Sequence, residues 1–247
     1  MLNNLLDPTF GAGGKVTTFV GSSNSYANAM AVQPDGKIVV AGVPLLTRYN
    51  SDGTLDTSFG TNGIVTNSGL AGGSDLVIQP DGKILVVGGG GGRPNTSFHV
   101  ARFNSNGSPD TSFGTNGIAI PLTFQNPNLE NSVSGNSIAL GPNGKILVAG
   151  DFFTEETRIW YFLASLNSNG SLDTWNYFDL SVETNLTAMA VQPDGKILLA
   201  GTIYPTDFRP SYYYGPSLGF ARAYSRPILA MAQLTFDPIP PSAEAEM

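Results

Sequence analysis

"VQPDGKIVVAG", residues 32–42, decides the fold, because the chain writes nearly the same phrase three more times. "IQPDGKILVVG" covers 78–88, "LGPNGKILVAG" 140–150 and "VQPDGKILLAG" 191–201. Asp, Gly and Lys in one short run can form a phosphate or metal site. The flanks favour a joint instead: an apolar run stands on either side. Pro presets φ at the first corner, Asp bonds to its own backbone, and Gly accepts φ > 0. That combination predicts a tight antiparallel hairpin.

The joint belongs to a larger repeat. Its glycines, Gly36, Gly82, Gly144 and Gly195, are spaced by 46, 62 and 51 residues. A second motif runs in step: "LDPTFG" (6–11), "LDTSFG" (55–60), "PDTSFG" (109–114) and the degenerate "LDTWNY" (172–177). A third, "NSDG" (50–53) and "NSNG" (104–107 and 167–170), precedes it. Each unit holds four short apolar runs bounded by turn residues, which read as strands rather than helices. In the first they are "GKVTTFV" (14–20), "NAMAVQ" (28–33), "KIVVAG" (37–42) and "LLTRYN" (45–50).

Four antiparallel strands recurring every 40–60 residues or so predict an all-β β-propeller of four four-stranded blades. The blades fall at about 14–50, 63–104, 117–167 and 176–235, within a propeller domain of 1–236. Residues 237–247 form a Pro-rich, acidic tail. The ring closes on itself by side-chain packing, or two open halves associate into a larger one. The succession of "DG(S/T)LD", "SFG", "AVQPDGKI" and "ARFN" resembles the delta-60 repeat family of bacterial β-propellers. That resemblance covers nearly all of residues 5–236 and implies fold and repeat identity; it brings no catalytic residues. Unit four departs from the pattern at "WNY" and at a Tyr-rich insertion.

Composition limits the chemistry. The 247 residues carry a formal net charge of −7, with 13% charged and 30 glycines. Phosphate neutralisation needs clustered Lys and Arg, so nucleic acid is not an expected partner. All five lysines (Lys15, Lys37, Lys83, Lys145 and Lys196) sit in the repeated motifs. Cysteine is absent, and with it disulfides and thiolate metal sites. No apolar run reaches the roughly 18 residues that a membrane-spanning helix needs, so no membrane insertion is expected. The opening "MLNNLLDPTFG" has no basic n-region or long apolar run and does not read as a secretion signal. The low-charge surface suits an extracellular or virion-associated protein; a cytoplasmic location is the alternative.

Most recurring residues read as structural. Phe10, Phe59 and Phe113, with Trp175 in the fourth place, are expected to plug the gaps between neighbouring blades. The acidic turns space oxygens as Ca²⁺ loops do: Asn50, Asp52 and Asp56; Asn104, Asn106 and Asp110; Asn167, Asn169 and Asp173. No closing Glu follows, and Asx-turns account for the same residues without a metal. No cofactor is expected, with Ca²⁺ the alternative. His99 is the single histidine and has no repeated partner. The run of glycines at 88–92 lacks the Lys-Ser/Thr of a phosphate loop. Glu155 and Glu156 are the candidates for glycosidase-like carboxylates.

Meander connectivity places the repeated turns on one rim and the variable loops on the other. The variable loops are 89–97, 123–135, 151–158 and the insertion 202–227. Long connections on a rigid scaffold are where binding tends to reside. In the insertion, Tyr204, Phe208, Arg209, Tyr212, Tyr213, Tyr214 and Arg222 combine the aromatic and guanidinium chemistry of contact hot spots. The expectation is therefore a non-catalytic structural or protein-binding propeller, with self-association included among its protein contacts. The alternatives are a glycan-binding propeller and a calcium-dependent hydrolase.

Overall fold

The computed structural model describes residues 6–19, 25–43, 46–66, 69–70, 72–89, 97–122, 133–153, 159–178, 183–204 and 229–234. Among these, four antiparallel sheets follow one another along the chain. Sheet one holds β1 (Tyr26–Val32), β2 (Ile38–Val43), β3 (Leu46–Tyr49) and β4 (Ile64–Val65). Sheet two holds β5 (Asp75–Ile78), β6 (Ile84–Gly89), β7 (Phe98–Phe103) and β8 (Ile118–Ala119). Sheet three holds β9 (Val133–Leu140), β10 (Ile146–Phe153), β11 (Ile159–Leu166) and β12 (Leu172–Phe178). Sheet four shows three strands among the described residues: β13 (Glu183–Val191), β14 (Ile197–Tyr204) and β15 (Leu229–Leu234). The strands in every sheet are neighbours in sequence order.

The quoted joint is the hairpin that its residues demand. Gly36 N–H donates to the Gln33 carbonyl at 2.9 Å, and Gln33 N–H donates to the Lys37 carbonyl at 2.7 Å. Asp35 accepts from Lys37 N–H, and Gly36 sits at φ +82, where a side chain would be strained. The same pair of backbone bonds recurs at Gln79–Lys83 and Gln192–Lys196. Unit three turns differently. There Asn143 adopts φ +59, and Lys145 N–H reaches the Pro142 carbonyl at 3.2 Å. Asn is the side chain that tolerates this region best after glycine.

The second strands of sheets two and three are apolar almost throughout because both of their faces are covered, unlike the alternating strand of a half-solvated sheet. Ile84 and Val86 point into a core shared with Val39, Ala41 and Phe59 of unit one. Their neighbours Leu85 and Val87 point the other way, into a core shared with Val148 and Phe162 of sheet three. Phe98 stacks on Phe162 there, with ring centroids 4.8 Å apart. A third core joins Leu147, Ala149 and Tyr161 to Leu186, Ile197 and Leu199 of sheet four. Each fully buried large side chain contributes about 1.5–3 kcal/mol, so the sheets are held mainly by the layers between them.

One expectation is corrected. The blade limits 14–50, 63–104, 117–167 and 176–235 assign the run after each "FGxxG" to the following blade. Instead, Val65 pairs with Leu46 and Ala119 with Val100, so each run is the outermost strand of the preceding sheet. Phe178 pairs likewise with Tyr161. Within the run at 14–20, residues 14–19 therefore form no strand of sheet one. Its described part makes an isolated bridge between Gly11 and Lys15.

Candidate functional site

The β1–β2 and β3–β4 turns carry the repeated motifs at one end of the sheets, and the β2–β3 and β4–β5 connections leave from the other. At the repeated end the motifs build a clasp between successive sheets. Asp56 accepts from Lys37 Nζ and Arg48 Nε, both at 2.8 Å. Arg48 also donates through Nη1 to the Ser105 carbonyl of the next unit. Its guanidinium carbon lies 4.5 Å from the centre of the Phe59 ring, which is wholly buried. Gly60 N–H then donates to the Asn106 carbonyl at 2.9 Å, tying the linker to the next turn. Unit two repeats the set: Asp110 pairs with Arg102 Nε at 2.7 Å and Lys83 Nζ at 3.0 Å, and Arg102 covers Phe113. The Lys37 and Ser58 hydrogen bonds hold the Asp56 carboxyl well below the usual range, and Ser112 and Lys83 do so for Asp110.

Local hydrogen bonds engage one oxygen of the middle residue in each acidic turn. Asp52 Oδ1 accepts from Thr54 N–H at 2.9 Å and from its hydroxyl at 2.6 Å. Asn106 and Asn169 do the same with Ser108 and Ser171. The geometry is that of Asx-turns. Among the described residues no three His, Asp or Glu side chains gather as a metal cluster.

Trp175 does not take the fourth plug position. It lies in β12 opposite Ala164 and packs on the core between sheets two and three, where a fourth plug would lie between three and four. The reason is local. Phe59 and Phe113 are followed by Gly60 and Gly114 at φ +54 and +52, which turn the chain. In "LDTWNY" the place of Phe59 and Phe113, three residues after the Asp, belongs to Asn176 and the place of the glycine to Tyr177, so nothing turns the chain there and the backbone stays extended as a seven-residue strand where β4 and β8 have two.

At the variable end, Tyr204 closes β14, its backbone paired with Glu183. Phe208, Arg209, Tyr212, Tyr213, Tyr214 and Arg222 lie outside the described residues, as do Glu155 and Glu156. What the structure brings together there is a group that sequence reading missed. Tyr177, 53% exposed, meets Trp160 edge-on at 5.4 Å between centroids, Trp175 at 5.8 Å and Phe152 at 6.4 Å. Part of the signal is in the sequence, since Trp175 and Tyr177 are two residues apart, as neighbours on one face of a strand are. Next to Phe152, Asp151 is 9% exposed and accepts from Asn136 Nδ2 at 2.5 Å; burial pushes its carboxyl up, and the amide opposes the rise. His99 has its Nδ1 at 2.9 Å from the Gly69 carbonyl and its Nε2 at 3.2 Å from Ser97 Oγ. It borders an open cleft of about 660 Å³ whose other lining includes Thr115, Ile118, Ile120, Asn169 and Ser171, and it is the one titratable group there among the described residues.

With the layered sheets and their clasps in place, comparison with known proteins is direct. The family described as "Domain of unknown function (DUF5122) beta-propeller" matches residues 33–59, 79–113, 141–174 and 192–209, one segment for each sheet. The chain is a β-propeller. Its four sheets are blades, and its sequence is similar to that propeller family of unknown function. No curated protein matches. Among solved structures it is similar to a protein of unknown function from Bacteroides caccae, at 17% identity and a TM-score of 0.46, covering 75% of this chain and 59% of that one. A protein of unknown function from Dyadobacter fermentans DSM 18053 gives 12% identity, TM-score 0.49 and coverage of 78% and 60%. A gluconolactonase from Xanthomonas campestris gives 17%, 0.46, and 73% and 59%. The chain thus spans 59–60% of the length of these structures.

Proposed function

We propose that this propeller is a non-catalytic structural or protein-binding module that engages its partner through the variable rim. The observation that carries this reading is a division of labour between the two ends. At the repeated end, Asp56, Asp110, Arg48, Arg102 and the Asx oxygens are engaged in contacts within the chain. At the other end the non-repeated aromatics Trp160 and Tyr177 lie on the same rim from which the Tyr- and Arg-rich connection of blade four departs. Aromatics with Arg supply large, stiff contact area at low entropic cost. The low-charge surface, rich in Asn, Ser, Thr and Gly, suits a component of a virion or extracellular appendage.

Affinity capture from an extract of the source, with the full chain as bait, tests the reading. Trp160→Ala with Tyr177→Ala, and separately deletion of 205–228, should each remove captured proteins while leaving the circular dichroism unchanged. Capture that is indifferent to both changes defeats the rim assignment. A second reading, glycan binding, rests on the half-exposed Tyr177 ring, whose face suits stacking on a sugar. Tyr177-dependent binding on a glycan array separates it from the first.

A further inference from the structure

Blade one exposes the face that blades two and three bury. Met30 stands opposite Val40, as Leu76 stands opposite Val86 and Ile138 opposite Val148. Leu76 and Ile138 are 6% and 5% exposed against the preceding blade; Met30 is 71% exposed and Val32 65%. Packing between strands of different blades runs from one to two, two to three and three to four. A single-chain ring closed by blade four would cover Met30. Among the described residues, nothing does.

The linker before blade one is also half of a clasp. Gly11 N–H docks on the Asp52 carbonyl at 2.8 Å, as Gly60 docks on Asn106 and Gly114 on Asn169. Ala12 N–H donates to the Lys15 carbonyl at 2.8 Å, as Thr61 does to Ile64. Residues 7–16 therefore hold the conformation of 56–65, the stretch that ends each preceding blade with its outermost strand. Yet Asp7 is exposed and its carboxylate bonds only Thr9 among the described residues, where Asp56 and Asp110 each hold an Arg and a Lys of the blade they close. Phe10 is half-buried, whereas Phe59 and Phe113 are roofed by Arg48 and Arg102.

The complementary half lies at the other end of the arc. Lys37, Lys83 and Lys145 each reach forward to the linker Asp of their own blade; Lys196 turns back to Asp194 of its own hairpin. β15 lacks an outer neighbour among the described residues. Its Met231, opposite Ala200, holds the register position of Leu46, which is opposite Ala41 and pairs outward with Val65. Val16 is the linker residue equivalent to Val65.

We propose that a second copy of this chain covers blade one, giving a two-chain ring of eight blades in which residues 7–16 of each copy complete the partner's fourth blade. Asp7 then meets Lys196 of the other copy, Val16 pairs with Met231, and Met30 and Val32 become core. The contact joins unlike ends, so it closes with a small number of copies or grows without limit. Two copies give eight blades, at the top of the usual four to eight; three would exceed it. This goes beyond the rim reading and fails separately from it, because Trp160→Ala with Tyr177→Ala leaves the assembly intact.

Sedimentation of the full chain at micromolar concentration should give twice the chain mass. Met30→Asp, at a position exposed in the single chain, should return the monomer with unchanged circular dichroism. Asp7→Lys and Lys196→Glu should each weaken association about tenfold, and the two swapped together should restore it. Because the chain has no cysteine, Val16→Cys with Met231→Cys gives a clean cross-link on oxidation: a product of two chains is expected. A monomer at tens of micromolar, a cross-link closed within one chain, an indifferent Met30→Asp or a charge swap that fails to restore association would each overturn the proposal.

Discussion

Blades two and three carry the same repeat and hold their following neighbours differently. Blade two ends in a clasp of Arg102, Asp110 and Phe113, all nearly inaccessible to solvent. At the corresponding positions blade three has Ser165 opposite Leu147, Asp173 within β12, and Asn176, with Trp175 one residue before it. Lys145 still reaches Asp173 at 2.7 Å, but that side chain is 36% exposed. With Asn176 and Tyr177 in place of the Phe-Gly pair, the chain runs on as a strand and its aromatics become part of a sheet face. One blade boundary rests on a buried ion pair roofing an aromatic ring; the other rests on longer strands.

The largest test of this difference is to remove the two aromatics. Phe113→Ala empties a fully enclosed site and should cost about 3–5 kcal/mol in denaturant unfolding. Trp175→Ala, at a partly buried position on a sheet face, should cost about 1–2 kcal/mol despite the larger side chain. Equal losses would mean that both aromatics plug in the same way.

That pair also marks where the sequence is legible and where it is not. The hairpins were legible, because Pro-Asp-Gly between apolar runs leaves the backbone few choices. The sorting of repeated and variable turns onto opposite ends followed from the meander. The phase of the strands did not, since Ile64–Val65 and Ile118–Ala119 are two-residue strands. An apolar pair looks the same whichever sheet takes it, and only the return through Gly63 and Gly117, whose carbonyls accept from Arg48 and Arg102, decides the matter. Grouping Trp175 with the phenylalanines rests on its being the aromatic that follows an Asp. It stands two residues after Asp173, however, where Phe59 and Phe113 stand three after Asp56 and Asp110, and Tyr177 replaces the glycine that turns the chain. Of the proposed rim residues, Tyr204 alone falls among the described residues, and the members of the Trp160–Tyr177 group are divided among β10, β11 and β12, which only pairing brings together.

The ion pairs separate the two blades next. Arg102→Met takes from the buried Asp110 its closest cation, leaving Lys83 alone to offset the charge, and should cost about 3 kcal/mol near neutral pH. Ser165→Ala should stay within about 0.5 kcal/mol. The pH dependence carries the sign. The folded Asp110 carboxyl titrates below an unfolded one, so its contribution is complete above about pH 4 and fades as the pH falls toward the folded value. The stability gap between wild type and Asp110→Asn should therefore shrink on acidification from pH 6 to pH 2. The gap for Asp173→Asn should be small throughout, since solvent screens that pair. A gap for Asp110→Asn that widened in acid would remove the ion pair from the account of this boundary.

The smallest expected effect lies in the hairpins themselves. Asn143 occupies φ +59, ψ 28, while the equivalent Asp81 keeps its carboxylate on Lys83 N–H at 3.1 Å. Asn143→Gly relieves a left-handed residue of its side chain but enlarges the freedom of the unfolded chain, and these oppose one another. Asn already tolerates the region, so the balance should fall within about 0.5 kcal/mol. Asn143→Val, which cannot adopt that conformation without strain, should lose about 1–2 kcal/mol. In blade two the order should reverse in sensitivity: Asp81→Ala removes a local acceptor, and Gly82→Ala places a side chain at φ +82, so the glycine change should be the costlier. Thermal unfolding of the four variants decides it. If Asn143→Val were as benign as Asn143→Gly, the unit-three turn would be free to adopt the geometry of the other three, and the distinction between blades would rest on Ser165 and Trp175 alone.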